Sequence, residues 1–62
     1  MNFELYEVWT VDPDGHEQLV DTTHSLKAAR QMALEAQAQE GLEVVIYKDT
    51  DGELSEVTRL PP

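Results

Sequence analysis

The chain has 62 residues and no cysteine, so it has room for one small domain and excludes disulfides, thiolate metal sites and thiol catalysis. Thirteen acidic residues against four basic ones give a net charge of −9, which repels phosphate backbones and argues against direct nucleic-acid binding. The first residues, MNFELYEV, have no basic n-region and no continuous apolar stretch, so they are not expected to act as a secretory signal, and no segment has the ~20 apolar residues of a membrane span. We therefore predict a single cytoplasmic domain over residues 1–62 that does not bind membranes.

The beginning of the chain is predicted to form a β-hairpin. Residues 3–11 (FELYEVWTV) are rich in aromatic and β-branched side chains, which favour a strand. Residues 12–15 (DPDG) follow, and their Pro and Gly supply the backbone angles of a turn. The return strand, at residues 16–21, is polar and is typical of the edge of a sheet.

A helix is predicted over residues 26–40, which contain strong helix formers and no Gly, Pro or β-branched residue. Ser25 precedes it as an N-cap, and Gly41 follows it as a terminator. One stripe at helical spacing is expected to face the sheet and consists of Leu26, Ala29, Met32, Ala33 and Ala36. Because this stripe is mostly alanine, the helix axis can lie close to the sheet.

A second hairpin completes the predicted ββαββ order, an α+β fold with one helix on one face of a four-stranded sheet. Residues 42–48 (LEVVIYK) form its apolar strand, residues 49–52 (DTDG) its turn and residues 53–60 its return strand. Apolar strands tend to be central, so we predict the strand order 2-1-3-4, which is antiparallel throughout. The alternative order 1-2-3-4 requires a right-handed parallel crossover through the helix.

The single helix leaves one face of the sheet uncovered, and alternation along the strands assigns residues to each face. The helix side is predicted to hold Phe3, Leu5, Trp9, Val11, Leu42, Val44 and Ile46. The uncovered side is then predicted to hold Glu4, Tyr6, Val8, Thr10, Glu43, Val45 and Tyr47. This assignment buries Glu7, and a bulge near Glu7 would move some residues between the faces.

The uncovered face is interpreted as an interface with a protein partner or with a second copy of the chain. Its candidate residues are Tyr6, Val8, Val45 and Tyr47. The alternative is ordinary exposure of a few apolar side chains in a protein without a partner there.

Neither a metal site nor a catalytic site is predicted. With Asp49 and Asp51 at the third and fifth positions of a calcium loop, Thr58 occupies the twelfth, where an EF-hand has a bidentate Glu. His16 and His24 lie in different segments and lack the spacing of metal ligands. The sequence has no Gly-rich phosphate loop and no nucleophile motif, so we expect a protein that is not an enzyme and has no cofactor.

One basic cluster lies at the start of the helix. Lys27 and Arg30 occupy its first turns, whereas Glu35 and Glu40 lie towards its end, the reverse of what the helix dipole favours. Together with His24, the two cations form a candidate corner for an anion or an acidic partner segment. The alternative is that Lys27 and Arg30 pair with acidic residues of the strands.

The segments YEVWTVDPDG, TTHSLKAARQMALEA and GLEVVIYKDTDGEL resemble small bacterial ββαββ domains of unknown function. This resemblance covers nearly the whole chain and implies a fold but no activity. The first half, through Ala38, is also similar in plan to the partial ribonuclease-H-like domain of antitoxins that pair with small RNA-cleaving toxins. The Pro-Gly-containing segment that usually precedes the helix of that family is missing here.

Two functions remain open at this point. The first is a non-enzymatic binding module that uses the uncovered face, as a homodimer or with a protein partner. The second is an acidic inhibitor, nucleic-acid-mimicking or antitoxin-like, whose carboxylates occupy a basic surface. Salt separates the two, because apolar docking survives high ionic strength and charge-driven docking does not.

Overall fold

A computed structural model describes residues 4–62 of the chain. The elements are β1 (Glu4–Val11), β2 (Glu17–Thr23), α1 (Leu26–Glu40), β3 (Glu43–Thr50) and β4 (Glu53–Leu60). The strands form one antiparallel sheet in the order β2-β1-β3-β4, and α1 packs on one face of it. The predicted ββαββ fold and strand order are confirmed, while Phe3 lies outside the described residues.

Both ends of α1 are capped as the sequence predicts. The Ser25 hydroxyl accepts a hydrogen bond from the Ala28 N–H at 3.2 Å, which satisfies one of the free donors of the first turn. Gly41 has a left-handed φ of 65°, and its N–H donates to the Gln37 carbonyl at 2.8 Å. The helix therefore begins and ends where the capping residues require.

Both hairpin turns use an aspartate carboxylate as a backbone acceptor, and in the second hairpin the Gly52 N–H donates to Asp49 Oδ1 at 2.8 Å. In the first, the Asp12 Oδ1 accepts hydrogen bonds from the N–H groups of Asp14 and His16, at 3.0 and 2.9 Å. In the second, Asp51 and Gly52 both have positive φ, 54° and 90°, as a tight two-residue turn requires. The second turn is thus shorter than the four residues predicted, and β3 continues through residue 50.

The core lies between α1 and the central strands. Its cluster of buried residues consists of Val8, Ala29, Ala33, Ala36, Val44 and Ile46. Tyr6, Met32 and Leu60 are partly buried and pack against this cluster. The predicted alanine stripe of the helix is confirmed, as is the placement of Val44 and Ile46 on the helix side.

The predicted face assignment of β1 is wrong. Val8 belongs to the core under α1 and Tyr6 packs against it, whereas Trp9 lies opposite Val45 on the other side of the sheet. The register between β1 and β3 is unbroken, so Glu7 lies outside the core because the two faces of β1 are exchanged relative to the prediction. An irregularity does occur near Glu7, at the Val8/Trp9 step, but its extra residue belongs to β2. Both sides of β1 are apolar enough to be buried, and the cost of burying the Glu7 carboxylate selects the side that faces the helix.

Each outer strand contains one residue that has no partner in the neighbouring strand. Val20 of β2 is the extra residue opposite the Val8/Trp9 step of β1, and Val57 of β4 is the extra residue opposite the Ile46/Tyr47 step of β3. Such bulges bend a strand and increase its twist. The sheet is therefore irregular at both of its edges and regular in its central pair.

Candidate functional site

The candidate site is the face of the sheet opposite α1, which we call the open face. Residues directly opposite each other on neighbouring strands share a face, so the register places each side chain. The central row of the open face crosses all four strands and consists of Leu19, Trp9, Val45 and Arg59. Glu7 and Tyr47 form the adjacent row on the two central strands.

Val45 is 0% exposed, although no helix covers it. The Trp9 Nε1 donates to Glu7 Oε1 at 3.0 Å, which ties the indole to its own strand. The Tyr47 hydroxyl donates to Glu17 Oε2 at 3.2 Å, and this bond runs from β3 to β2 across the position of Trp9 on β1. Trp9 and Tyr47, which we call the aromatic layer, therefore lie along the sheet and cover Val45 at its centre.

Four carboxylates surround the aromatic layer, and we call them the acidic rim: Glu7, Glu17, Glu43 and Glu56. Two of them hold the aromatic side chains, as described above. The other two bind one cation, because Arg59 Nη1 lies 3.1 Å from Glu43 Oε1 and Arg59 Nη2 lies 2.8 Å from Glu56 Oε1. Every member of the rim is thus engaged in a contact that orients the open face.

The pKa values of side chains on the open face reflect these contacts. Burial of the Tyr47 phenol raises its pKa above the usual value, and the nearby Glu17 carboxylate raises it further. The hydrogen bond from Arg59 lowers the pKa of Glu56, and the same bond raises the pKa of Arg59. At neutral pH the phenol is therefore a neutral donor, and the Glu56 carboxylate is charged.

Exposed aliphatic side chains extend the open face beyond its centre. Leu19 is 47% exposed in the central row, and Leu54, opposite Asp49 on β4, is 55% exposed. The face thus has an aromatic centre, aliphatic flanks and an acidic rim. This combination is suited to contact with another macromolecule.

The structure divides the predicted interface between the two faces of the sheet. Val45 and Tyr47 lie on the open face, whereas Tyr6 and Val8 pack under α1. Trp9 lies on the open face, where we predicted Val8. The signal that finds Trp9 is Glu7, because residues two apart in a strand share a face and a carboxylate favours the side without a helix.

The residues of the predicted basic corner lie close together in the sequence. The alternative prediction, that its two cations pair with acidic residues of the strands, is wrong. The His24 Nδ1 lies 3.0 Å from the Glu4 carbonyl oxygen. Within residues 4–62, neither Lys27 nor Arg30 forms an ion pair. Glu4 instead pairs with a strand cation, Lys48, at 3.1 Å, and this hydrogen bond raises the pKa of Lys48.

The first hairpin turn brings three ligand-type residues together. Oxygen or nitrogen atoms of Asp12, Asp14 and His16 lie within 4.8 Å of one another. The Asp12 carboxylate is already used in the turn, with Oδ1 accepting two backbone N–H groups and Oδ2 lying 3.5 Å from the His16 Nδ1. Turn formation accounts for this arrangement.

Comparison with protein families, with curated proteins and with solved structures gives no match for this chain. Among the described residues, no helix has the length and apolar character needed to cross a membrane. The function proposed below therefore rests on the geometry of the molecule.

Proposed function

We propose that the chain is a non-enzymatic protein-interaction module that docks a partner on the open face. The observation that carries this proposal is the aromatic layer, in which hydrogen bonds already hold Trp9 and Tyr47 in place. Aromatic side chains are enriched at the centres of interfaces. Side chains that are ordered before binding lose little conformational entropy when the partner arrives.

The charge of the open face favours a different protein over a second copy. The acidic rim contributes four carboxylates, against the single guanidinium of Arg59. Two copies that met through this face would bring two acidic rims together, which is unfavourable. The expected partner has an apolar centre with Lys and Arg around it.

The second candidate is the acidic inhibitor, and the observation that favours it is the net charge of −9 spread over the chain. In that function the carboxylates themselves occupy a basic nucleic-acid-binding surface, and the aromatic layer contributes little. Affinity would then fall steeply with added salt. Docking through the aromatic layer loses only the contribution of the acidic rim in high salt and retains the apolar contact, which salt does not screen.

The test uses matched substitutions to lysine at exposed aliphatic positions. Leu19→Lys and Leu54→Lys alter the open face, and Val20→Lys alters a position of similar exposure, 44%, on the flank between α1 and β2. Each tagged variant is used to capture proteins from a lysate of the organism that carries the chain. A protein retained by the wild type and by Val20→Lys, but lost with both open-face variants, supports the proposal.

The captured protein is then purified, and its affinity is measured against ionic strength, with sedimentation of the chain alone as a companion experiment. Affinity that persists at high salt supports apolar docking, and a steep decline supports the acidic inhibitor instead. Equal retention by all three variants overturns the open face as the interface. A dimer of the chain alone that Leu19→Lys dissociates would overturn the preference for a different protein.

A further inference from the structure

A groove runs between α1 and the outer strand β4, on the face opposite the open face, and we call it the α1/β4 groove. It is lined by Arg30, Ala33, Leu34, Ile46, Thr58 and Leu60. Leu34, on the helix side of the groove, is 56% exposed, and Leu60, on the strand side, is only partly buried. The groove therefore presents aliphatic side chains to solvent from both walls.

The dimensions of the layers explain why this groove exists. Four strands span about 19 Å, because neighbouring strands lie about 4.8 Å apart. One helix is about 10 Å wide with its side chains, so it covers roughly half of such a sheet. In this fold α1 lies chiefly over β1 and β3, contacts β2 next and contacts β4 least. The helix side of β4 is thus the least covered part of this face, and the contact between the Gln37 amide and the Pro61 carbonyl bounds the groove at one end.

Charge distinguishes this flank of α1 from the other. Lys27, Arg30 and Leu34 follow one another at helical spacing along the same side of α1, and neither cation has an ion pair among residues 4–62. The opposite flank, between α1 and β2, has two carboxylates among its lining residues, those of Asp21 and Glu35. Although the chain has thirteen acidic residues, Lys27 and Arg30 therefore stand beside the apolar groove without an ion pair in the described part of the chain.

The edge of β4 argues against an added strand as the occupant. Val57 is the extra residue of a bulge, and a bulge in an outer strand interrupts the regular hydrogen bonding that a new strand would need. A helix needs no backbone partner, because its own hydrogen bonds are internal. A helix is thus the element that this space and this edge accept.

We infer that the α1/β4 groove binds an amphipathic helix of a protein partner. The aliphatic stripe of that helix packs against Leu34 and Leu60, and its acidic side chains pair with Lys27 and Arg30. The partner segment is thus apolar on one side and acidic beside it. This surface is separate from the open face, whose acidic rim selects a basic partner.

The test uses two labelled peptides of about four helical turns that share one leucine stripe. The first carries Glu beside the stripe and the second carries Lys at the same positions. The net charge of −9 by itself favours the Lys peptide, so preference for the Glu peptide is a specific property of the groove. We expect the Glu peptide to bind more tightly in fluorescence anisotropy and to gain helical circular dichroism on binding.

Charge reversal in the chain sharpens the test. We expect Lys27→Glu combined with Arg30→Glu to weaken binding of the Glu peptide about tenfold. These changes place acidic residues in the first turns of α1, where the helix dipole favours them, so the variant keeps its fold. Gln39→Glu on the opposite flank and Leu54→Lys on the open face are the controls, and both should leave the affinity unchanged.

Three results would overturn the inference. The first is tighter binding of the Lys peptide, and the second is an affinity for the Glu peptide that charge reversal at Lys27 and Arg30 leaves unchanged. The third is binding without a gain of helix, which would indicate an extended occupant. Amide chemical shifts that change along α1 and β4 on titration of the Glu peptide would locate the complex in the groove, and changes confined to β1 and β2 would contradict it.

Discussion

The two faces of the sheet each bury a valine completely, and the two valines are neighbours in the chain. Val44 is covered by a helix, whose alanines belong to the same core cluster. Val45 is covered by the aromatic layer, which hydrogen bonds to Glu7 and Glu17 hold along the sheet. A small domain can thus close one face with a backbone element and the other with side chains alone. The second solution leaves aromatic rings at the surface, where a partner can contact them.

The largest expected effect concerns the face under the helix. Ile46→Ala removes a fully buried side chain from the core cluster and should lower the free energy of unfolding by about 3 kcal/mol. Urea unfolding followed by the fluorescence of Trp9, the one tryptophan, measures this loss. Leu54→Ala, at an exposed position of the open face, is the control and should change stability by less than about 0.5 kcal/mol. A loss below about 1 kcal/mol for Ile46→Ala would contradict the tight packing of this core.

The neighbouring valines compare the two kinds of cover directly. Val44→Ala should destabilise by about 2.5 kcal/mol, because the helix is anchored at both ends and cannot collapse into the cavity. Val45→Ala should cost about 1.5 kcal/mol, since the aromatic side chains above it can settle into the space. Both values come from the same urea experiment. Equal losses would show that the aromatic layer is as rigid as the helix, and a negligible loss for Val45→Ala would show that the layer does not pack.

The two tyrosines provide a finer comparison, because one lies on each face. Tyr47→Phe removes the hydrogen bond to Glu17 and should lower stability by about 0.5 kcal/mol, a small value because the bond is partly exposed. Tyr6→Phe removes a hydroxyl that makes no hydrogen bond within residues 4–62, so its effect should be near zero. Thermal unfolding of the two variants, measured side by side, distinguishes them. The reverse order would mean that the Tyr47 hydroxyl does not hold the aromatic layer.

The smallest expected effect is the pH dependence of the acidic rim. The Arg59 contact lowers the pKa of Glu56 in the folded chain, so the unfolded chain binds a proton first as the pH falls. The stabilisation is fully present above the ordinary Glu pKa of 4.5 and is lost as the pH falls through the lowered folded value. The stability difference between wild type and Glu56→Gln should therefore be present at pH 7 and vanish in acid. A difference that is constant with pH would show that the Arg59 contact is not electrostatic.

The parts of the fold that follow from local chemistry were predictable from the sequence. The bounds of α1 follow from Ser25 and Gly41, whose capping geometry depends on few neighbours. The strand order followed from polarity, because the central strands are the apolar ones and the outer strands are not. These features do not depend on how side chains from distant segments meet.

The composition of the open face was predicted only in part. The faces of β3 were assigned correctly, although residues 44–47 are apolar on both sides. In β1 both sides are apolar as well, and one carboxylate, Glu7, decides between them. The hydrogen bond from Tyr47 to Glu17 joins residues thirty positions apart, and no local pattern indicates it. The same holds for the α1/β4 groove, which depends on where the helix lies across the width of the sheet.

The alanine stripe of α1 has a further consequence for how the helix is positioned. Ala29, Ala33 and Ala36 project single methyl groups, so the fully packed part of the helix surface has few ridges to interlock with the sheet, and the longer Met32 side chain that also packs there is only partly buried. Such packing fixes the height of the helix above the sheet but gives little resistance to sliding along its axis. The short junctions at Ser25 and Gly41 therefore determine the axial position of α1. Inserting one residue at either junction would shift the entire helix over the strands while leaving its buried surface almost unchanged.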